Sequence, residues 1–152
     1  MPDSKKLDSL ARYFLWSEMQ AKICQRCLER DAANPDIYTF GAMSYWFSSL
    51  CVVIEGWRDL RLVDPEIDVL LADKKKVYEL RSHRNATFHY RPKLLDKKFM
   101  GLMSGDAQEI ADWLTKLRVA FERFFDEHRG EHTIPSDARR EYDEWIKRGP
   151  SF

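Results

Sequence analysis

Residues 37–54 read IYTFGAMSYWFSSLCVVI, a run of 18 without a single charged side chain. Two structures compete for such a run. A membrane-spanning helix needs about this many apolar residues. The central helix of a bundle is apolar all round for another reason, because neighbouring helices cover it. The polar content separates the two. Tyr38, Thr39, Ser44, Tyr45, Ser48 and Ser49 lie inside the run, and each hydroxyl is costly in lipid without a partner. The flanking residues Asp36 and Glu55 bring no positive bias. The run is therefore read as the buried helix of an α-helical bundle, with no membrane association.

The segments on either side extend the same reading. Before it, Leu7, Leu10 and Phe14, with Tyr13, Trp16, Met19, Ile23 and Cys27, recur at helical spacing. They predict a first helix over 4–30, capped by Asp3 or Ser4. Asn34 as cap with Pro35 at the first helical position starts the second, over 36–62. A short loop between long helices implies antiparallel neighbours. Asp64-Pro65 repeats the start signal for a third helical region over 65–90, with a break near Asp73, and Pro92 disfavours helix at Arg91. Residues 91–105 read as a basic, Gly/Pro-punctuated loop. Asp106 with Glu109 is a capping-box pattern that opens a fourth helix over 106–129. Its stripe of Ile110, Trp113, Leu114, Leu117, Phe121, Phe124 and Phe125 predicts a core face, and Gly130 ends it. A charged helix over Asp137 to Arg148 follows. The expected fold is all-α: an antiparallel four-helix bundle over 1–130, with residues 131–152 a C-terminal helical appendage, not a separate domain.

Composition agrees with one globular domain: 152 residues, 44% hydrophobic and 33% charged. Six Gly and six Pro are few for a β-sandwich, and three Cys make no disulfide framework. Residues 1–8 are polar, without an apolar leader, so the expected compartment is the reducing cytoplasm. With 25 basic and 25 acidic residues the net charge is zero, which excludes whole-surface attraction to nucleic acid. The charge is unevenly spread, however. From Lys74 to Lys98 nine Lys/Arg face only Glu79 and Asp96, a local +7 balanced by −7 elsewhere. Such a run is either a solvated helix face or a site for an anion such as a phosphate backbone.

Several spellings carry no chemistry. Cys24 and Cys27 share a helix face, but Cys51 stands apart and no second CxxC or CxxH exists, so they read as small buried hydrophobes. His128 and His132 are separated by the helix-ending Gly130, which argues against a metal pair. Asn85-Ala86-Thr87 is a glycosylation sequon by spelling only. There is no Gly-rich phosphate loop, GxSxG or HExxH.

What remains is LRSHRNATFHY, residues 80–90. Val77, Leu80, Arg84 and Phe88 are spaced 3, 4 and 4, so Arg84 continues an apolar stripe. A guanidinium there is costly unless it is paired or lines a cleft. Tyr78, Ser82, Asn85 and His89 form a polar stripe beside it, in which the Asn85 amide would orient the His89 imidazole. Arg84 and His89 are roughly 140° apart on an ideal helix. They converge on one ligand only at a groove, at an interface, or where the helix loosens before Pro92. The bland alternative is a structural Arg with a His near a helix C-terminus, where cations are favoured.

The stretch Arg84-Asn85-Ala86-Thr87-Phe88-His89 resembles the Arg-x4-His motif of the HEPN superfamily, including the polar residue directly after the Arg. That resemblance implies an all-α four-helix bundle over about residues 4–128. Many members are metal-independent endoribonucleases of toxin–antitoxin and other defence systems, with no metal or cofactor. It implies a homodimer whose two motifs share one groove, with RNA as substrate and an antitoxin protein as a further partner. Arg84, Asn85 and His89 would be catalytic. His89 would move the proton of the attacking 2′-OH or of the leaving oxygen, and Arg84 would stabilise the phosphorane. Asn85 would orient His89 or contact phosphate. Arg81, Tyr90, Arg91, Lys93, Lys97 and Lys98 would guide RNA by charge and stacking. Some relatives have a Tyr two residues after the His; here that position is Arg91, and Tyr90 comes one residue earlier. The alternatives are a non-catalytic HEPN-like module that binds a nucleotide or partner protein, and an unrelated helical adaptor.

Overall fold

The structure is a computed structural model that describes residues 3–30, 33, 36–128, 140, 143–145 and 147–148. Among these the fold is all-α: α1 (Ser4–Arg30), α2 (Ile37–Asp59), α3 (Pro65–Leu71), α4 (Lys74–Phe88), α5 (Lys97–Met100), a 3-10 turn (Gly101–Met103) and α6 (Ala107–Glu127). Most of the proposed C-terminal appendage, together with Asn34, Pro35 and His132, lies outside the described residues.

Caps explain most of the boundaries. α2 is capped by Asp36, whose carboxylate accepts from Thr39 N–H at 2.9 Å. Its start is therefore set by an Asp beyond the expected Asn34-Pro35 signal. The helix stops at Asp59, short of the expected 62, because Arg61 turns left-handed at φ 52°. Asp64 caps α3 through Glu66 and Ile67 N–H, with Pro65 at its first position. The third region is divided where Asp73 accepts from Lys76 N–H at 3.1 Å and begins α4. Asp106 caps α6 through Gln108 and Glu109 N–H. The reciprocal half of the capping box does not follow: Glu109 reaches Lys76 on α4 at 2.6 Å.

Residues 91–105 are not the plain loop expected. Asp96 accepts from Lys98 and Phe99 N–H and nucleates α5, and the chain continues into the 3-10 turn, where Leu102 is fully buried. Two apolar anchors, Phe99 and Leu102, hold this short segment against the bundle.

One core joins the elements. It includes Leu10 and Phe14 of α1, Leu50, Val53, Ile54 and Trp57 of α2, Ile67 of α3, Leu80 of α4 and Trp113, Leu117, Phe121 and Phe124 of α6. Trp57 meets Phe121 and Phe124 edge-on at 5.5 and 4.6 Å. The α1/α2 pair runs antiparallel. Gly56 sits so close to Leu10 that a Cβ there would run into its Cδ1. α6 lies antiparallel to α1, with Phe14 beside Phe121 and the Glu18 carboxylate paired at both oxygens by Arg118 at 2.7 Å. Trp113 Nε1 donates to Leu70 O at 3.0 Å, and Arg123 grips Asp64 at 2.7 and 2.8 Å, which ties α6 to α3.

α2 is long and apolar enough to cross a membrane. It packs on α1 and α4, and Thr39, Ser44 and Ser48 are buried. The Ser44 hydroxyl donates to Phe40 O at 2.8 Å, the local partner that such a helix interior requires.

Candidate nucleic-acid interface

α4 places the basic motif, and it does so antiparallel to α2. Arg81 and Arg84 face Glu55 near the C-terminal end of α2, whereas Phe88 meets Tyr45 a few turns earlier on α2. The seam between the two helices therefore runs from an ionic end to an aromatic end.

Arg84 does continue the apolar stripe. Val77 and Leu80 are buried, and Arg84 is 24% exposed on the same side. Its Nη2 donates to Glu55 Oε1, and its Nε is buried without a partner. Burial opposes the charge, but the bonds to Glu55 and to the nearby Cys51 thiol hold the guanidinium more firmly protonated than usual. Arg81 Nε lies 3.6 Å from the same Glu55 oxygen. In the sequence Glu55 is only the acidic flank of an uncharged run. Its spacing to Arg84 is set by helix packing, which no local pattern reveals.

His89 does not share that environment. It is the C-cap of α4, with extended backbone (φ −118°, ψ 129°), and its N–H donates to Asn85 O at 3.1 Å. Asn85 thus holds His89 through its backbone carbonyl, in place of the amide-to-imidazole contact expected from an unbroken helix. Both side chains are exposed. A cleft of about 430 Å³ opens beside His89, lined in part by Phe88, Tyr90, Arg91, Lys93, Leu95 and Phe99. Of the expected RNA-guiding residues, the cleft gathers Tyr90, Arg91 and Lys93 around His89. Lys97 and Lys98 sit on α5, exposed and outside its lining.

Arg91 has a structural task within this cleft. Its Nε donates to Asp96 Oδ2 at 2.7 Å, and its Nη2 donates to the same oxygen. Asp96 therefore caps α5 and ties the cleft's far wall to its near one. The Arg91 bonds, with those from Phe99 and Lys98 N–H, pull its carboxyl below the ordinary range. The turn between them needs Leu95 at φ 61°, a left-handed conformation that is uncommon for a leucine.

A second histidine, His83, lies directly behind the cleft. It is fully buried, ringed by Phe47 at 5.4 Å and Phe99 at 4.4 Å. Its Nδ1 is 2.8 Å from Phe99 O. A carbonyl only accepts, so Nδ1 carries the proton and Nε2, buried without a partner, is bare. Burial pushes the His83 pKa below its ordinary value, against a smaller opposing effect of the Phe99 carbonyl. His83 anchors the cleft segment to α4, a role that its place in a charged run conceals.

Among the described residues no three His, Cys, Asp or Glu side chains gather to hold a metal. Burial, with help from Cys27, pushes the Cys24 thiol up to about 11, far from the reactive thiolate range. The His128 Nδ1 lies 2.8 Å from Phe124 O.

No family model, curated protein or solved structure matches the chain. The chemistry of this region rests on its own geometry.

Proposed function

We propose that the protein is a metal-independent endoribonuclease of HEPN type that works as a homodimer. The observation that carries the reading is His89: an exposed imidazole at the open end of α4, beside a cleft bounded by Tyr90 and Lys93. An exposed histidine next to basic and aromatic groups suits proton transfer at an RNA phosphodiester. The 2′-OH attacks the adjacent phosphorus, the 5′ oxygen leaves, and a 2′,3′-cyclic phosphate remains. His89 moves a proton in one of these steps, and Arg84 meets the charge on the phosphoryl oxygens.

Within one chain Arg84 faces α2 and Glu55, while His89 lies past the helix end. A composite site across a two-fold axis answers that separation, with each protomer supplying groups to a shared groove. Glu55 then acts as a positioning residue that holds the guanidinium until phosphate competes for it. Toxin or defence use, with an antitoxin protein that masks the groove, is the physiological form of this reading, and its place is the cytoplasm.

The test is cleavage of single-stranded RNA in EDTA by the wild type, Arg84→Ala and His89→Ala. Each substitution should lower the rate by about two orders of magnitude or more. The double variant should lose little beyond either single one, as groups acting as a unit do.

The Arg84–Glu55 pair itself favours a second reading, in which Arg84 only links α4 to α2 in a non-catalytic module that binds a nucleotide or partner protein. That reading expects an inactive wild type, with the loss on Arg84→Ala appearing in stability.

A further inference from the structure

We propose that Tyr45 and Phe88 form a stacking platform that restricts the site to RNA with unpaired bases. The inference deepens the ribonuclease reading and rests on it for its ligand. Tyr45 of α2 is 54% exposed and Phe88 of α4 is 55% exposed. Their rings meet edge to face, with centroids 5.8 Å apart and planes at 66°. Phe88 also lines the cleft beside His89, where Tyr90 is 91% exposed. Aromatic surface is thus continuous from the α2/α4 seam into the cleft.

Nothing in the bundle requires these rings outside. The apolar stripe of α4 is satisfied by Val77 and Leu80 before it reaches Phe88, and Tyr45 stays half exposed on α2 although Ser44, Phe47 and Ser48 beside it in the chain are buried. The charge around them selects the occupant. Lys93 lines the cleft with Phe88 and is exposed, while the acid in that lining, Asp96, is already engaged by Arg91. Cationic side chains mixed with exposed rings match a polyanion that carries its own aromatic faces. Base faces are free to stack only where the strand is unpaired, because in an A-form duplex they are covered by their neighbours. The edge-to-face pair fixes Phe88 at an angle to Tyr45, so the two rings present separate faces to successive bases.

The test uses a 2′-O-methyl RNA decamer, single-stranded or annealed to its complement. It cannot be cut through its 2′ position, so binding is read apart from chemistry. Wild type should bind the single strand at least about tenfold more tightly than the duplex. Tyr45→Ala and Phe88→Ala should each weaken single-strand binding about tenfold, within the range for loss of one stacked base, and leave duplex binding unchanged. Phe88→Trp should restore what Phe88→Leu does not, which separates stacking from simple apolar packing. Equal binding of single strand and duplex, or full binding by both Ala variants, overturns the platform. So does loss of the dimer in those variants by light scattering, which makes the rings a protein contact. Wild type that cuts ordinary RNA while the Ala variants bind normally sinks the platform alone. Ring-dependent binding without any cutting of ordinary RNA sinks the ribonuclease reading alone.

Discussion

His83 and His89 are six positions apart and have opposite environments, and their difference predicts a pH effect. His89 is exposed. His83 is buried neutral, and a proton on its Nε2 would have no acceptor. Unfolded, His83 takes up a proton as pH falls through about 6.5; folded, it resists. The unfolded state therefore binds more protons in that window, and stability should fall as pH drops below about 6.5. Above it His83 adds no slope. Asp73, Asp64 and Asp96 act with the same sign in a more acidic window, each held below the ordinary 3.8. Their support is complete above that value and is lost only in stronger acid. Urea denaturation between pH 7 and 5 should show the histidine step in wild type and not in His83→Gln; a step of equal size in both would exclude His83 as its source. Arg84 carries a second prediction. Glu55→Gln removes the charge that Arg84 needs at a site 24% exposed. It should cost about 1–2 kcal/mol, less than for a fully buried pair. Arg84→Met keeps the stem and frees only the more exposed Glu55, so it should cost less than about 1 kcal/mol. The reverse order in denaturation would mean that Glu55 does not support Arg84.

At the scale of elements, caps and stripes were legible, and tertiary clamps were not. Asp64, Asp73 and Asp106 each begin a helix where the sequence marks a break, through side-chain bonds to the next N–H groups, whereas Asp36 caps α2 in place of the expected Asn34. The stripe of α6 is the core face expected, with Leu117 and Phe121 fully buried. Phe121→Ala should accordingly cost about 3–5 kcal/mol, because it opens a cavity beside Trp57. A loss under about 0.5 kcal/mol would contradict that packing. α5 was missed because four residues carry too little periodicity to read. Its stability comes from Asp96, Arg91 and the Phe99–His83 contact, which only folding assembles. Within the candidate site, the Arg84 and His89 positions stood out by residue type. That Arg84 faces Glu55, and that His89 leaves the helix, depended on helix packing and on where α4 ends.

Across the whole molecule, the exposed end of α4 sets the central claim. The α2/α4 seam runs from Glu55 and Arg84 to Tyr45 and Phe88, and His89 lies beyond it at the cleft. A shared groove requires two copies, so light scattering at micromolar concentration should give about twice the 18.1 kDa chain mass. A mass of one chain would remove the composite site and leave the fold intact. The most direct measurement of the claim is the product formed from a single-stranded RNA in EDTA, compared with the same RNA carrying one 2′-deoxy substitution at the cut position. Cleavage by 2′-OH attack predicts a 2′,3′-cyclic phosphate end from the first and no cut at that position in the second. Uncut RNA in the first sample, or cutting of both with a 3′-hydroxyl end, would contradict it.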